Sequence, residues 1–320
     1  MSWYTSKFVN KLDEYMAFRR SLGFSNRHAQ VLRQFDAYCV QFQPGAAELT
    51  KDVVWGWFDF ELRSNNKNLR KKVIAIRSFA RYIGGESYIL PMDCAPKKNS
   101  FVPYILDDNE LFALFRAVDN FHSNRDPFIG ITFSVFLRLM YACGLRPREG
   151  RLLKTTDIDF DTGELFIRSS KMKKDRIVVV SNDMLELLRN YRAKRIPWAN
   201  SEEDTFFIDG SSHPLSSERV RWYVKKFWMS ANPNIPASDL PNFRPYDLRH
   251  RFASELLQKW IDEGKDLYAM LPYMRTYMGH VRFEDTAYYI HLLPDRLISS
   301  SGVDWDAIDS VGLEDSIWDN

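Results

Sequence analysis

The sequence predicts an α-helical N-terminal bundle followed by a larger, mainly helical α+β domain with a small antiparallel sheet. Three observations carry this. At 320 residues the chain is about twice the usual length of one domain. Its first 85 residues show apolar side chains only at helical spacing. Past a proline-rich stretch, β-prone runs around tight turns appear between further helices. With 45% hydrophobic and 15% aromatic residues, the chain is too apolar for a disordered protein and holds enough material for sizeable cores.

Segment 3–22 places Trp3, Phe8, Leu12, Tyr15, Met16 and Phe18 or Leu22 near helical spacing, and Gly23 stops it. Segment 26–42 repeats the pattern with Val31, Leu32, Phe35 and Tyr38. Thr50 has the chemistry of an N-cap for a third helix through Val53, Val54, Trp57 and Phe58. A fourth helix is expected from about Asn66 to Ile83, where Leu69, Val73, Ile76, Phe79 and Ala80 alternate with cations. Lys67, Arg70, Lys71 and Arg77 are its candidate DNA contacts, on a basic face that also includes Arg63, Lys72 and Arg81. The expected domain spans 1–87. The stretch 88–106 has three prolines and no periodicity, and reads as a linker.

The second domain is expected over 107–296. Helices are predicted at 107–119 and 128–143, with Gly144 at the C′ position and Pro147 at N1 of the next helix. Asp161-Thr162-Gly163 is a turn. Glu164–Ser169 and Arg176–Val180 form a hairpin around Lys171–Asp175. Further helices are expected at about 182–195, 216–230, 246–262, 267–279 and 283–292. The most apolar run, Phe128 to Cys143, is too short and, with Arg138, too charged to span a bilayer, so no membrane association is expected.

The net charge of +2 is unevenly spread. Residues 1–100 carry +7, residues 101–300 carry +1, and residues 301–320 carry −6 with no cation. A basic N-terminal third points to a polyanionic partner, although a solvated surface with local imbalance gives the same count. Cys39, Cys94 and Cys143 lie far apart with no CxxC. This excludes a disulfide scaffold or zinc-finger array and fits a reducing, cytoplasmic compartment. The N-terminus is charged early and lacks an apolar core of the signal-peptide kind.

Five groups in the second half stand out together. Gly144-Leu145-Arg146 is followed by Glu149. Ser170-Lys171-Met172-Lys173-Lys174-Asp175-Arg176 forms the hairpin tip. Tyr246-Asp247-Leu248-Arg249-His250 opens a helix. Met278-Gly279-His280 ends another, and Tyr288-Tyr289-Ile290-His291 follows, with Tyr289 nine residues after His280. Each box alone is weak: an arginine after a helix is ordinarily a cap, and a lone tyrosine an amphipathic contact. In this order and at these separations they resemble the tyrosine site-specific recombinases, the phage integrases and their relatives. The resemblance covers roughly 105–292, and the N-terminal helices are similar to that family's SAM-like core-binding domain.

The resemblance implies a DNA strand-breaking and rejoining enzyme that uses no metal, cofactor or ATP, because a covalent 3′-phosphotyrosyl link conserves the phosphodiester energy. It implies Tyr289 as nucleophile. Arg146 and Arg249 would be the guanidiniums that stabilise the transition state, with Lys171 as the acid for the leaving 5′-oxygen. His280 would donate to a non-bridging oxygen, with Glu149 and His250 in support. One position departs from the family pattern: Tyr246 stands where histidine is usual. A phenol can donate to a phosphate oxygen, but with a free pKa of about 10 it is a poor base at neutral pH.

The resemblance also implies duplex DNA with specific core sites as partner, a tetrameric synapse, and a nucleoid-associated location in the cytoplasm. The acidic segment 297–320, with Trp305, Ile308 and Val311 at helical spacing, is expected to contact another protomer; folding back in cis stays open. Integration, excision and transposition of a mobile element, or resolution of chromosome or plasmid dimers, all use this chemistry. Other readings are a type IB topoisomerase and a DNA-binding regulator with a dead site. A metal-dependent nuclease would need an acidic cluster of a kind the sequence does not offer.

Overall fold

A computed structural model describes residues 2–24, 26–64, 68–96, 103–168, 175–199 and 205–290. It divides into two compact units, the first up to residue 101 and the second from residue 102.

The first unit holds four helices: α1 (Val9–Ser21), α2 (Arg27–Phe42), α3 (Lys51–Arg63) and α4 (Leu69–Ile83). Their apolar stripes meet in a core built on Phe8, Leu12, Phe35, Trp57 and Phe79. The Phe35 ring meets Trp57 edge-on at 5.9 Å, a favoured aromatic geometry. Thr50 caps α3, its hydroxyl accepting from the Val53 amide. The chain before α1 is not helical, unlike the pattern read from residue 3. Buried Asp36 instead captures it by accepting from the amides of Thr5 and Ser6, at 2.8 and 3.0 Å, and Trp3 lies exposed beneath Arg33.

The basic face of α4 is narrower than its sequence implied. Lys72 is buried and pairs with buried Glu61 of α3 at 2.6 Å. Arg77 donates to the Leu90 carbonyl. Arg70 is half-buried and Lys71 exposed; Lys67 lies outside the described residues.

The expectation of a linker over 88–106 is corrected. Leu90 and Ala95 are buried in the first unit's core. The Tyr88 amide donates to the Leu49 carbonyl, and its hydroxyl accepts from the Trp55 indole. Leu106 belongs to the second unit's core. Prolines stopped helix formation here but did not stop packing, because an irregular strap can bury side chains once its backbone groups find partners.

The second unit is organised around α6 (Ile129–Ala142), which follows α5 (Asp108–Asp119). Helix α6 is buried on nearly all sides, as a helix apolar all round must be. Its one interior hydroxyl, Thr132, is satisfied by the Ile208 carbonyl and Tyr191. Asp107 and Glu110 close a reciprocal capping box at the head of α5. After α7 (Pro147–Leu152), strands β1 (Glu164–Ile167) and β2 (Arg176–Val179) pair antiparallel, Leu165 opposite Val178 and Ile167 opposite Arg176. They form the one sheet among the described residues. The remaining helices are α8 (Asn182–Arg195), α9 (Ser217–Ala231), α10 (Asp247–Asp262), α11 (Leu267–Met278) and α12 (Glu284–Ala287). The last is shorter than the 283–292 expected from sequence; residues 288–289 turn, and those from 291 lie outside the described residues.

Helices α6 and α11 are among those that end on a left-handed glycine. Gly144 (φ +56) follows α6 and Gly279 (φ +64) follows α11. The next amide reaches back to the helix in both, Leu145 to the Met140 carbonyl and His280 to the Arg275 carbonyl. This is the left-handed glycine cap that frees the chain to leave the helix axis. A Cβ on Gly144 would also meet the Phe252 ring at 2.5 Å. Gly144→Ala is therefore expected to destabilise the second unit by about 2–4 kcal/mol, from left-handed strain plus overpacking. Urea unfolding checks this; a variant as stable as wild type would refute the argument.

Candidate active site

Four separated segments converge at these two caps. Arg146, leaving the α6 cap, sits at the N-terminus of α7. Its amide donates to Glu149 Oε2 at 2.9 Å, its Nη1 to Glu149 Oε1 at 2.6 Å, and its Nη2 to the Gly279 carbonyl at 2.7 Å. Arg249, on the first turn of α10, is wholly buried. Its Nη1 donates to the Gly144 carbonyl and its Nη2 to the Met278 carbonyl, both at 2.7 Å. Each arginine thus takes a carbonyl from a helix end, where the backbone dipoles favour a cation. Burial works against the charge on Arg249, and nearby Arg146 adds repulsion. Arg249 Nε is buried and has no partner among the described residues. A pair of arginines held this way is a receptor for an anion.

His280 follows the second cap. Its Nε2 lies 2.7 Å from Arg249 Nη2 and its Nδ1 2.8 Å from the Thr286 hydroxyl of α12. Because guanidinium can only donate, the network places the lone pair on Nε2 and the proton on Nδ1. Tyr289 is 2% exposed and its ring stacks on His280, with centroids 5.9 Å apart and planes 10° apart. Burial pushes its phenol above the ordinary tyrosine range. Tyr246 adds to the rise, while Arg249 and Arg146 pull it back. Tyr288, its neighbour, is only half-buried.

Tyr246, at the N-terminal end of α10, lies within electrostatic reach of Arg146. His250, one turn on, packs between the rings of Tyr246 and Tyr289, at 5.1 and 5.5 Å. Burial, with Arg244 and Arg249 adding repulsion, pushes His250 down to about 3, and its Nδ1 is buried without a partner. It is a neutral spacer. Glu149 is also buried. Burial alone would raise its carboxyl, but the Arg176 fork, and then Arg146, hold it at about 2.

The structure therefore brings together Arg146, Glu149, Tyr246, Arg249, His250, His280 and Tyr289. Lys171 lies outside the described residues. Arg70, Lys71 and Arg77 belong to the first unit. The sequence reading missed Arg176 and Thr286 as site residues. Arg176 was legible only as the end of the hairpin box, and Thr286 as one position of a helical run. Beside Arg146 and Tyr246 opens a cleft of about 830 Å³, rimmed by Arg148, Arg151, Arg221 and Lys225 and floored in part by Trp228 and Phe243.

The sequence model of the phage integrase family matches residues 105–296. The chain belongs to that family. Its members are tyrosine recombinases, enzymes that break and rejoin DNA through a tyrosine intermediate. Integrase/recombinase y4rE of Sinorhizobium fredii is 29% identical over 292 residues, covering 88% of this chain and 90% of that one. Tyrosine recombinase XerC of Oceanobacillus iheyensis is 27% identical over 246 residues, 74% of each chain. Among solved structures, the XerH site-specific recombinase bound to palindromic difH substrate in a post-cleavage complex has a TM-score of 0.65 at 17% identity, covering 92% of this chain and 80% of that one. The Tn1549 transposon integrase in complex with circular intermediate DNA has a TM-score of 0.64 at 12% identity, covering 94% and 98%. Both share the fold. No helix among the described residues is long and apolar enough to cross a membrane.

The neutral burial of His250 has a consequence for stability. In the unfolded chain a histidine takes a proton at about pH 6.5; in the fold His250 resists protonation down to about 3. Below about 6.5 the unfolded state binds more protons, so stability is full above that pH and is lost as pH falls toward 3. His250→Phe, which keeps the ring contacts, is expected to flatten part of this loss; His28 of the first unit, held at about 4, and depressed carboxyls such as Glu149 keep the rest. Urea unfolding between pH 7 and 4 measures it, and an unchanged slope in His250→Phe would show that the ring titrates normally.

Proposed function

We propose that this chain is a site-specific recombinase that cuts and rejoins duplex DNA through a 3′-phosphotyrosyl intermediate formed on Tyr289. The convergence of Arg146, Arg249, His280 and Tyr289 in one buried cluster carries the reading. The scissile phosphate binds between Arg146 and Arg249, whose guanidiniums take the charge that grows on its non-bridging oxygens. Arg249 Nε, buried and without a partner among the described residues, supports this role as a donor. His280 donates to the same oxygens once Nε2 carries a proton in place of the hydrogen bond it accepts from Arg249, and Tyr246 serves as a donor beside Arg146. The Tyr289 hydroxyl gives its proton to solvent as its oxygen bonds to phosphorus, the P–O5′ bond breaks, the 5′-oxygen leaves with a proton from Lys171, and the reverse reaction restores the phosphodiester.

The cationic cleft beside Arg146 supports duplex DNA as the substrate, and so do the DNA complexes of XerH and the Tn1549 integrase. Arg70 and Lys71, with Lys67, extend the contact to the first unit as sequence-independent phosphate binders. The element moved is a mobile one, in integration, excision or transposition; the likeness to XerC favours dimer resolution as the second reading. The acidic segment 297–320 joins protomers into a tetrameric synapse on DNA.

Nicked duplexes carrying the DNA that flanks the gene test the reading, because loss of the short strand traps the covalent adduct. Tyr289→Phe is expected to bind duplex and form no adduct, while Tyr288→Phe keeps it; an adduct mapped to Tyr288 would sink the assignment. Arg249→Lys keeps the charge and loses the bidentate geometry. It is expected to slow adduct formation by about 100–1000-fold, or roughly 3–4 kcal/mol. Cleavage at the wild-type rate by that variant would remove Arg249 from the chemistry.

A further inference from the structure

We propose that Arg176 is a positioning residue, which fixes Glu149 and, through it, sets the backbone and guanidinium of Arg146 for the scissile phosphate. The inference rests on the role of Arg146 given above and assigns a part to a residue outside the five boxes' reactive positions.

The geometry is a shared carboxylate. Arg176, the first residue of β2, gives Nη1 to Glu149 Oε1 at 2.9 Å and Nη2 to Oε2 at 2.8 Å. Arg146 gives its Nη1 to Oε1 at 2.6 Å and its amide to Oε2 at 2.9 Å. Each oxygen therefore receives one hydrogen from each arginine. The three side chains are 8%, 5% and 15% exposed for Arg176, Glu149 and Arg146. The remaining Arg176 donor, Nε, reaches the Tyr277 carbonyl at the end of α11, at 2.8 Å. Arg176 also lies against Gly279, where a Cβ would stand 3.0 Å from its Nη1. One guanidinium thus joins β2, α7 and the cap that carries His280.

The chemistry explains why an arginine and a carboxylate suit this place. A buried carboxylate needs its lone pairs filled. With Arg176 present, Glu149 is held on one side and can orient Arg146 from the other without being drawn wholly onto it. The groups facing Glu149 are Arg146 on its own helix, Arg176 from β2 and, within electrostatic reach, Arg249 from α10. Removing Arg176 takes away the strongest influence that lowers the Glu149 carboxyl and leaves burial, which raises it, opposed by Arg146 alone. A protonated Glu149 would no longer hold the Arg146 amide and guanidinium together. Misplacement of a reacting-site group by about 1 Å can cost about 100-fold in rate.

The test uses the full chain and the nicked flanking duplex that wild type converts to adduct. Single-turnover adduct formation at saturating duplex, duplex affinity and melting temperature are measured from pH 5 to 9 for Arg176→Met, Arg176→Lys, Glu149→Gln and Glu149→Gln with Arg176→Met. Arg176→Met is expected to lose on the order of 10–100-fold in rate with affinity unchanged. Its rate falls further toward acid pH, as wild type's does not, and the double variant loses this acid fall. The double variant is also no slower than Glu149→Gln alone, because Arg176 acts through the carboxylate. Should Arg176→Met not fold, Arg176→Lys carries the test: it keeps a cation, loses the fork, and is expected to recover only part of the rate. A wild-type rate in Arg176→Lys, a loss confined to affinity, or a double variant showing the product of both single losses overturns the proposal. If Tyr289 is labelled in wild type and Arg176 variants cleave normally, only this proposal fails. If wild type forms no adduct, or forms it elsewhere, the reading of the site fails and takes this proposal with it.

Discussion

Two guanidiniums must be buried close together without losing their charge, and the catalytic unit is arranged around that requirement. Burial opposes the charge on Arg249, and Arg146 adds repulsion. The fold answers with the carbonyls of two helix ends. Arg249 takes those of Gly144 and Met278, and Arg146 takes that of Gly279. Such carbonyls carry partial negative charge and lack helical partners of their own. They orient the cations without neutralising them as two further carboxylates would. Under the proposed mechanism, an incoming phosphate would meet positive charge that is already in place, and little reorganisation would be needed when more charge develops.

This arrangement depends on apolar packing some distance away. Helix α6 is sunk in the core of the second unit, and α11 packs its Leu271, Met274 and Met278 with Leu257 and Ala253 of α10. The Cα positions of Gly144 and Gly279 are therefore set by two clusters of buried side chains, and the left-handed caps convert those positions into carbonyl directions. Tyr289 and Ile290 belong to the same apolar cluster as α11. The tyrosine is thus held by hydrophobic burial, while its phenol faces the arginines. Opposing demands meet on one residue: its ring is stabilised by exclusion of water, and the same exclusion raises its pKa. Under the proposed mechanism, the arginines offset that rise.

Much of this was legible in the sequence because it rests on local signals. Glycines at 144 and 279, the proline at 147, Thr50 and Asp107 mark helix boundaries through backbone chemistry that needs no tertiary context. The order of the five boxes located the arginines, His280 and Tyr289. What stayed hidden is set by register and burial. Arg176 reads as one cation among several in a hairpin; only its pairing opposite Ile167 aims it at Glu149. Lys72 reads as part of a basic face, yet its partner Glu61 sits on the preceding helix and draws it inside. The strap at 88–96 has no periodicity, and its anchoring to Leu49, Trp55 and Arg77 is made by contacts distant in sequence.

Tyr246 shows how an exception to the family pattern can be accommodated. A base at this position would have to gain a proton beside two permanent cations, and electrostatics disfavours that for any side chain. A donor gains from the same surroundings, since its hydrogen bond goes to an oxygen whose negative charge the arginines already favour. Phenol and imidazole can both donate, so the exchange of one for the other changes the base chemistry far more than the donor chemistry. The electrostatic coupling of Tyr246 to Arg146 puts the hydroxyl near the guanidinium it would assist. His250, one turn further on, fills the space between the Tyr246 and Tyr289 rings without bringing a charge. The tyrosine thus fits a role in which position and donation matter and proton uptake does not.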